Sequence, residues 1–236
     1  MFPQLRYLGP KSRCSYLPDQ IAQMEYEFVF KLSAEEYRER LGDRWRRFGN
    51  TLFRPRCPSC NACEPIRTVV SEFRPNRSQS RVTKANAVLT RLEIGSPSIN
   101  DEKLDLYYRH HLHHAEQKGW PRPNRERIIN HLALVTDACY PTQEWNFFRD
   151  EKLIAVIFVD ELSDGLSGVY FYYDPDYRKL SPGTWMCLSV IERAIHLGLP
   201  FAYLGYLVRG CRSMEYKASF QPYELLGADG VWRKDT

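Results

Sequence analysis

No apolar stretch in this 236-residue chain is long enough to cross a bilayer. The longest clean run, LIAVIFV from Leu153 to Val159, falls far short of the roughly 20 residues that a spanning helix needs. The opening MFPQLRYLGP lacks the apolar segment of a secretory signal peptide. These absences predict a cytoplasmic protein with no membrane partner. Without an export signal, the seven cysteines are not read as a disulfide framework. Cysteine here means metal, a reactive thiol or packing. Internal repeats and low-complexity tracts are missing as well.

Net charge is only +4, but it is unevenly spread. Between Arg38 and Lys84 stand twelve basic and four acidic residues, a net +8 against −4 for the remainder. That imbalance suggests a polyanionic partner for the first third. Length and 43% hydrophobic content suit one large domain or two small ones. A break at SPS, Ser96 to Ser98, predicts two domains, 1–95 and 96–236.

Local signals outline the elements. Alternation of Met24, Tyr26, Phe28 and Phe30 predicts a strand. Ser33 to Glu36 is a capping box that opens a helix, which Gly42 stops. DRWRRFG, from Asp43 to Gly49, reads as a short basic helical turn. A helix is predicted from Asn76, with Arg77, Arg81 and Lys84 on one face. Their mutual repulsion makes this the best phosphate-binding stripe in the chain. Asn100 to Gly119 reads as an amphipathic helix bearing His110, His111, His113 and His114. His110 and His114 have zinc-compatible spacing, but HExxH is absent, so surface histidines are the preferred reading. Two strands joined at Asp150–Glu151, a third ending at Asp174, a helix with Pro182 near its start, and a strand to Val208 follow. The fold class predicted is α/β (α+β).

Cys57, Cys60 and Cys63, spaced C-x2-C-x2-C, can place three thiolates around one ion, with Cys14 as a fourth ligand. Reduced, packed thiols are the competing reading. The turn DPDYRKLSPGTW precedes a helix start, where free N–H groups and a dipole favour anions. It partly resembles the pyrophosphate loop of GNAT acetyltransferases, with Arg178, Lys179 and Gly183 as its anion-facing residues. Ser181 and Pro182 interrupt the glycine pattern, which weakens a small-molecule acetyltransferase reading.

YLGYLVRGCRSMEYKASFQPYELLG, together with LSGVYFYYDPDYRKLSPGTW, CSYLP, CPSCNAC and FRPNRSQSR, resembles the aminoacyl-tRNA–protein transferases of the N-end rule pathway. The match is to the bacterial aspartate/glutamate leucyltransferase type, related to eukaryotic arginyltransferases. The resemblance implies a GNAT-like acyltransferase domain after a smaller N-terminal α/β domain carrying the cysteine cluster. It implies transfer of leucine from leucyl-tRNA to proteins with N-terminal Asp or Glu, with arginine as the alternative donor amino acid. Such ester aminolysis requires no cofactor; a structural zinc or iron–sulfur cluster at Cys14, Cys57, Cys60 and Cys63 is the cofactor reading. Asp160 and Asp174 are the candidates to hold the amine or take its proton. Tyr170, Tyr172 and Tyr206 are the candidates to donate to the carbonyl or position the aminoacyl group. Arg209 and Lys217 are the candidates for the acceptor carboxylate. Arg77, Arg81, Lys84, Arg178, Lys179 and Gly183 are assigned to tRNA.

Overall fold

A computed structural model describes residues 5–118 and 122–235 of the chain. It begins with β1 (Leu5–Leu8), a ribbon of β2 (Ser12–Arg13) and β3 (Ile21–Ala22), then β4 (Met24–Phe28), α1 (Ala34–Gly42), β5 (Arg46–Phe48) and β6 (Thr51–Pro55). Four of these strands form an antiparallel sheet in the order β1-β4-β6-β5. The Ser33 capping box forms as its spacing predicts: Glu36 N–H donates to Ser33 Oγ, and Ser33 N–H donates to the Glu36 carboxylate. DRWRRFG does not form the helical turn predicted for it. Its centre is β5, which turns at Gly49 and Asn50 into β6. Trp45, Arg46 and Arg47 are all buried there, so partners distant in sequence override the local pattern.

The chain continues with β7 (Cys63–Val69), α2 (Arg77–Asn86), β8 (Arg91–Gly95), α3 (Asp101–Lys118), α4 (Arg125–Thr136), β9 (Thr142–Arg149), β10 (Lys152–Leu162), β11 (Gly165–Tyr173), α5 (Pro182–His196), β12 (Phe201–Val208), α6 (Arg212–Glu215), β13 (Tyr223–Leu226) and β14 (Trp232–Lys234). The predicted end of α3 at Gly119 lies outside the described residues. One eight-stranded mixed sheet runs β14-β13-β7-β12-β11-β10-β9-β8. β9 and β10 turn at Asp150 and Glu151, both with positive φ, 48° and 59°, as a two-residue hairpin turn requires. The division expected after residue 95 does not coincide with a sheet boundary, because β7 and β8 are strands of this same large sheet.

On one face, α5 buries Trp185, Met186, Val190, Ile191 and Ala194 against Ile157, Leu166, Leu204 and Leu207. α3 and α4 pack on β10 and β11 through Leu106, Tyr107, Ile128 and Leu132, which meet Val156, Phe158 and Tyr172. Tyr37, Leu41, Trp45 and Leu52 of the N-terminal part form a further cluster with Leu162 and Tyr203. The small sheet therefore packs directly on the large one. β11 and β12 are the parallel pair, joined through α5.

Candidate active site

The pairing of β11 with β12 stops early. Gly165, Leu166 and Ser167 face Phe201, Ala202 and Tyr203, yet β11 runs on to Tyr173 and β12 to Val208. The two strands thus part toward their carboxyl ends, the position where open α/β sheets bind ligands. Two glycines shape this parting. A Cβ on Gly165 would stand 2.5 Å from the Phe201 carbonyl oxygen, so only glycine allows the close start of the pair. Gly205 has φ +82°, within the interval where the β12–β7 register shifts between Tyr203 and Tyr206. There β12 bulges.

Side chains converge on that bulge. Lys217, from the turn Tyr216–Ser219, donates to the Tyr206 carbonyl at 2.8 Å. It is 9% exposed, and burial pushes its ammonium down to about 8. Arg46 of β5 donates from Nη2 to the Gly205 carbonyl at 3.1 Å. Tyr206 donates its hydroxyl to the Arg44 carbonyl at 2.6 Å, with the Arg46 guanidinium 5.2 Å from its ring centre. Tyr206 and Lys217, assigned separately from sequence, are thus brought together.

Tyr170 and Tyr172 share a face, as strand alternation predicts, with ring centres 6.4 Å apart. Tyr172 is fully buried, and its hydroxyl has no hydrogen-bond partner among the described residues. Tyr170 is half-buried, with its hydroxyl 2.6 Å from His111 Nε2. Tyr107 stacks on His111 at 4.1 Å. His110 is buried rather than on the surface, and Tyr173 N–H donates to its Nδ1 at 3.2 Å. Burial, then the neighbouring rings of His114 and His111, pushes it down to about 3.

The two carboxylates are not brought together. Asp160 pairs in register with Ser167, at the start of β11, whereas Asp174 follows that strand's end. Seven residues of strand separate these points, about 23 Å. Asp160 is fully buried against Arg47, which donates to both its carboxylate oxygens. Burial works against the Arg47 charge, but the carboxylate outweighs it and raises the guanidinium further. Asp174 forms ion pairs with Arg109 at 2.6 Å and Lys152 at 2.8 Å, and it caps the turn after β11 by accepting from Asp176 N–H. Burial would raise its pKa, but those bonds hold it below the usual range. Each carboxylate is committed to cations of the fold. Arg209 lies 55% exposed and pairs with Asp235 at 2.6 Å, whereas Lys217 is buried.

The phosphate-directed residues do gather. α2 packs on α5 and on the turn Pro175–Leu180, with Asn86 donating to the Leu180 carbonyl at 3.0 Å. Arg77, Arg81, Lys84, Arg178 and Lys179 are all exposed. No side chain caps α5, whose N-cap Ser181 is left-handed with φ 54°, so its first N–H groups remain available. Gly183 lies in that first turn. A Cβ there would touch only the Phe171 ring at 3.7 Å, so protein contacts alone do not demand glycine.

Cys57, Cys60 and Cys63 line a cavity of about 290 Å³ with Arg44, Arg54 and Arg56. Burial, then the neighbouring thiols Cys57, Cys14 and Cys60, pushes Cys63 up to about 12. All four thiols are free, and among the described residues no group of three or more donors forms a metal cage. The four cysteines are thus neighbouring free thiols, with arginines beside them.

Sequence reasoning missed Arg46 and His111. For His111, the Tyr107-x3-His111 spacing on a helix was the available signal. For Arg46 there was none, since its burial depends on β12, more than a hundred residues later.

Comparison with known proteins fixes the class. Residues 12–81 match the N terminus, and 102–227 the C terminus, of Arginine-tRNA-protein transferase. An Aspartate/glutamate leucyltransferase of Campylobacter jejuni is 34% identical over 216 residues, spanning 92% of this chain and 90% of the relative. One of Nitrosococcus oceani is 38% identical over 229 residues, spanning 93% and 91%. A solved protein of unknown function from Bacteroides thetaiotaomicron shares the fold at TM-score 0.50 and 14% identity, over 69% of this chain and 57% of its own. The protein is an aminoacyltransferase. The chain belongs to the aminoacyl-tRNA–protein transferase family described as Arginine-tRNA-protein transferase.

Proposed function

We propose that the protein transfers leucine from leucyl-tRNA to the α-amine of proteins beginning with Asp or Glu, marking them for the N-end rule. The carrying observation is the name shared by relatives 33–38% identical over more than nine-tenths of the chain, Aspartate/glutamate leucyltransferase. The topology supports a GNAT-like reaction site: a hairpin, a crossover helix and a parallel pair that parts. In this reading the tRNA lies along α2 and the Pro175–Leu180 turn, and its charged end enters the gap between β11 and β12. The acceptor amine, with a pKa of about 7.7–8.0, loses its proton readily near neutrality. Its lone pair attacks the ester carbonyl, and the tRNA hydroxyl departs with a proton. The His111-paired Tyr170 is the donor for the oxyanion, while Tyr206, whose hydroxyl is given to the Arg44 carbonyl, fixes the bulge beside it. Asp160 and Asp174 act by holding the walls of the gap. The ester is already activated, so the chemistry calls for no metal; a structural metal or iron–sulfur cluster, if one is bound, would be held by Cys14, Cys57, Cys60 and Cys63.

The cytoplasm, where charged tRNA is made, is the proposed compartment; no helix among the described residues is long and apolar enough to cross a membrane. The family description favours a second reading, arginine as the donor amino acid. An Asp-starting peptide incubated with leucyl-tRNA and, separately, arginyl-tRNA distinguishes them by product mass. A leucyl adduct is expected; an arginyl adduct alone overturns the leucine reading.

A further inference from the structure

Two adjacent arginines are buried in β5, and among the described residues only one has a carboxylate partner. Arg47 meets both oxygens of Asp160 and also bonds Gly49 O and Thr142. Arg46 is 6% exposed and donates only to two backbone carbonyls, those of Trp45 and Gly205. Its Nε is buried with no hydrogen-bond partner among the described residues. The Tyr206 ring offers partial compensation. Lys217 binds the next peptide of the same bulge, donating to Tyr206 O, and it too is buried with no carboxylate bonded to it among the described residues. Nearby Cys187 and Cys63 are pushed by burial up to about 11 and about 12, so they remain neutral thiols and supply no counter-charge. Arg44 donates only to the Cys63 carbonyl and lines the adjacent cavity, and its own carbonyl holds Tyr206.

Burying a cation without an anion is costly, and breaking such pairs destabilises proteins strongly. Arg46 and Lys217 therefore sit as though an anion belongs between them and solvent. A phosphate is the less suited ligand, because the exposed basic surface for RNA lies on α2 and the turn before α5. A planar carboxylate matches a guanidinium edge that includes a free Nε.

We propose that Arg46, with Lys217, holds the side-chain carboxylate of the acceptor's N-terminal Asp or Glu, making Arg46 the specificity-determining residue. This rests on the leucyl-transfer reading for its substrate. The geometry would favour a carboxylate over an amide: an amide offers the guanidinium fork one oxygen instead of two, turns an N–H toward it and brings no charge.

The test compares wild type with Arg46→Met, using peptides beginning with Asp or Asn. For Arg46→Met, kcat/KM on the Asp peptide should fall at least about tenfold, while the Asn peptide is little affected. KM for leucyl-tRNA should not change. Without substrate, Arg46→Met should keep or raise Tm, whereas Arg47→Met, which strands Asp160, should lower it. If Arg46→Met fails to fold, Arg46→Lys carries the same comparison, keeping charge but losing the fork and part of the preference. A retained Asp preference overturns the proposal; so does a rise confined to KM for leucyl-tRNA, which would assign the site to phosphate. Binding of the two peptides by fluorescence anisotropy, without tRNA, separates this from the donor question. If wild type fails to use leucyl-tRNA yet binds the Asp peptide through Arg46, the donor reading fails and the carboxylate site stands.

Discussion

His110 illustrates how a single side chain ties pH to stability. Its ring accepts from Tyr173 N–H and is held neutral, with its pKa down to about 3 from an ordinary 6.5. Between those values the unfolded chain binds a proton that the folded chain does not, so stability rises with pH across this window and falls as pH drops below 6.5. The expected slope is about 1.4 kcal/mol per pH unit. Replacing His110 with Leu should flatten this part of the curve, read as urea midpoints between pH 6.5 and 4. An unchanged acid limb would mean that other groups set it. The amphipathic helix was legible from sequence, but the inward turn of His110 was not, because its partner belongs to β11. Asp160 teaches the same lesson. It reads as a free carboxylate near a strand end, yet its partner Arg47 is 113 residues away.

Elements set by local chemistry were the legible ones. Two of the predicted helix starts have complete capping boxes, at Ser33 and Asn76, with partners three residues apart. Pro182 does open α5, and Gly198, with φ +68°, lies just past its end. β5 was misread because Trp45 and two arginines are buried by the large sheet, an event that no short window contains. For α2, the three charges on one face remain exposed as the spacing predicts. Replacing Arg77, Arg81 and Lys84 with Ala should raise KM for charged tRNA and reduce the salt dependence of binding. The slope of log K against log salt should flatten by roughly two to three, one counterion per lost phosphate contact. An unchanged slope would place the RNA elsewhere.

At the scale of the molecule, the basic face and the cysteine-lined cavity are built by different elements. The basic face of α2 and the Pro175–Leu180 turn lies beside the α5 N-terminus. The arginine- and cysteine-lined cavity lies where β12 meets the start of β7 and the small sheet. The alternation of strands and helices made the α/β class legible, but not that β7 and β8 complete the large sheet, since their partners are set by register with β12, β13 and β9. The central claim is that acyl transfer occurs where β11 and β12 part. Amide hydrogen exchange with and without 3′-leucylamino-3′-deoxyadenosine, a stable mimic of the charged tRNA end, tests it directly. Binding should slow exchange in 168–173, 204–208 and the first turn of α5. Protection confined to other segments, with these three unchanged, would contradict the account.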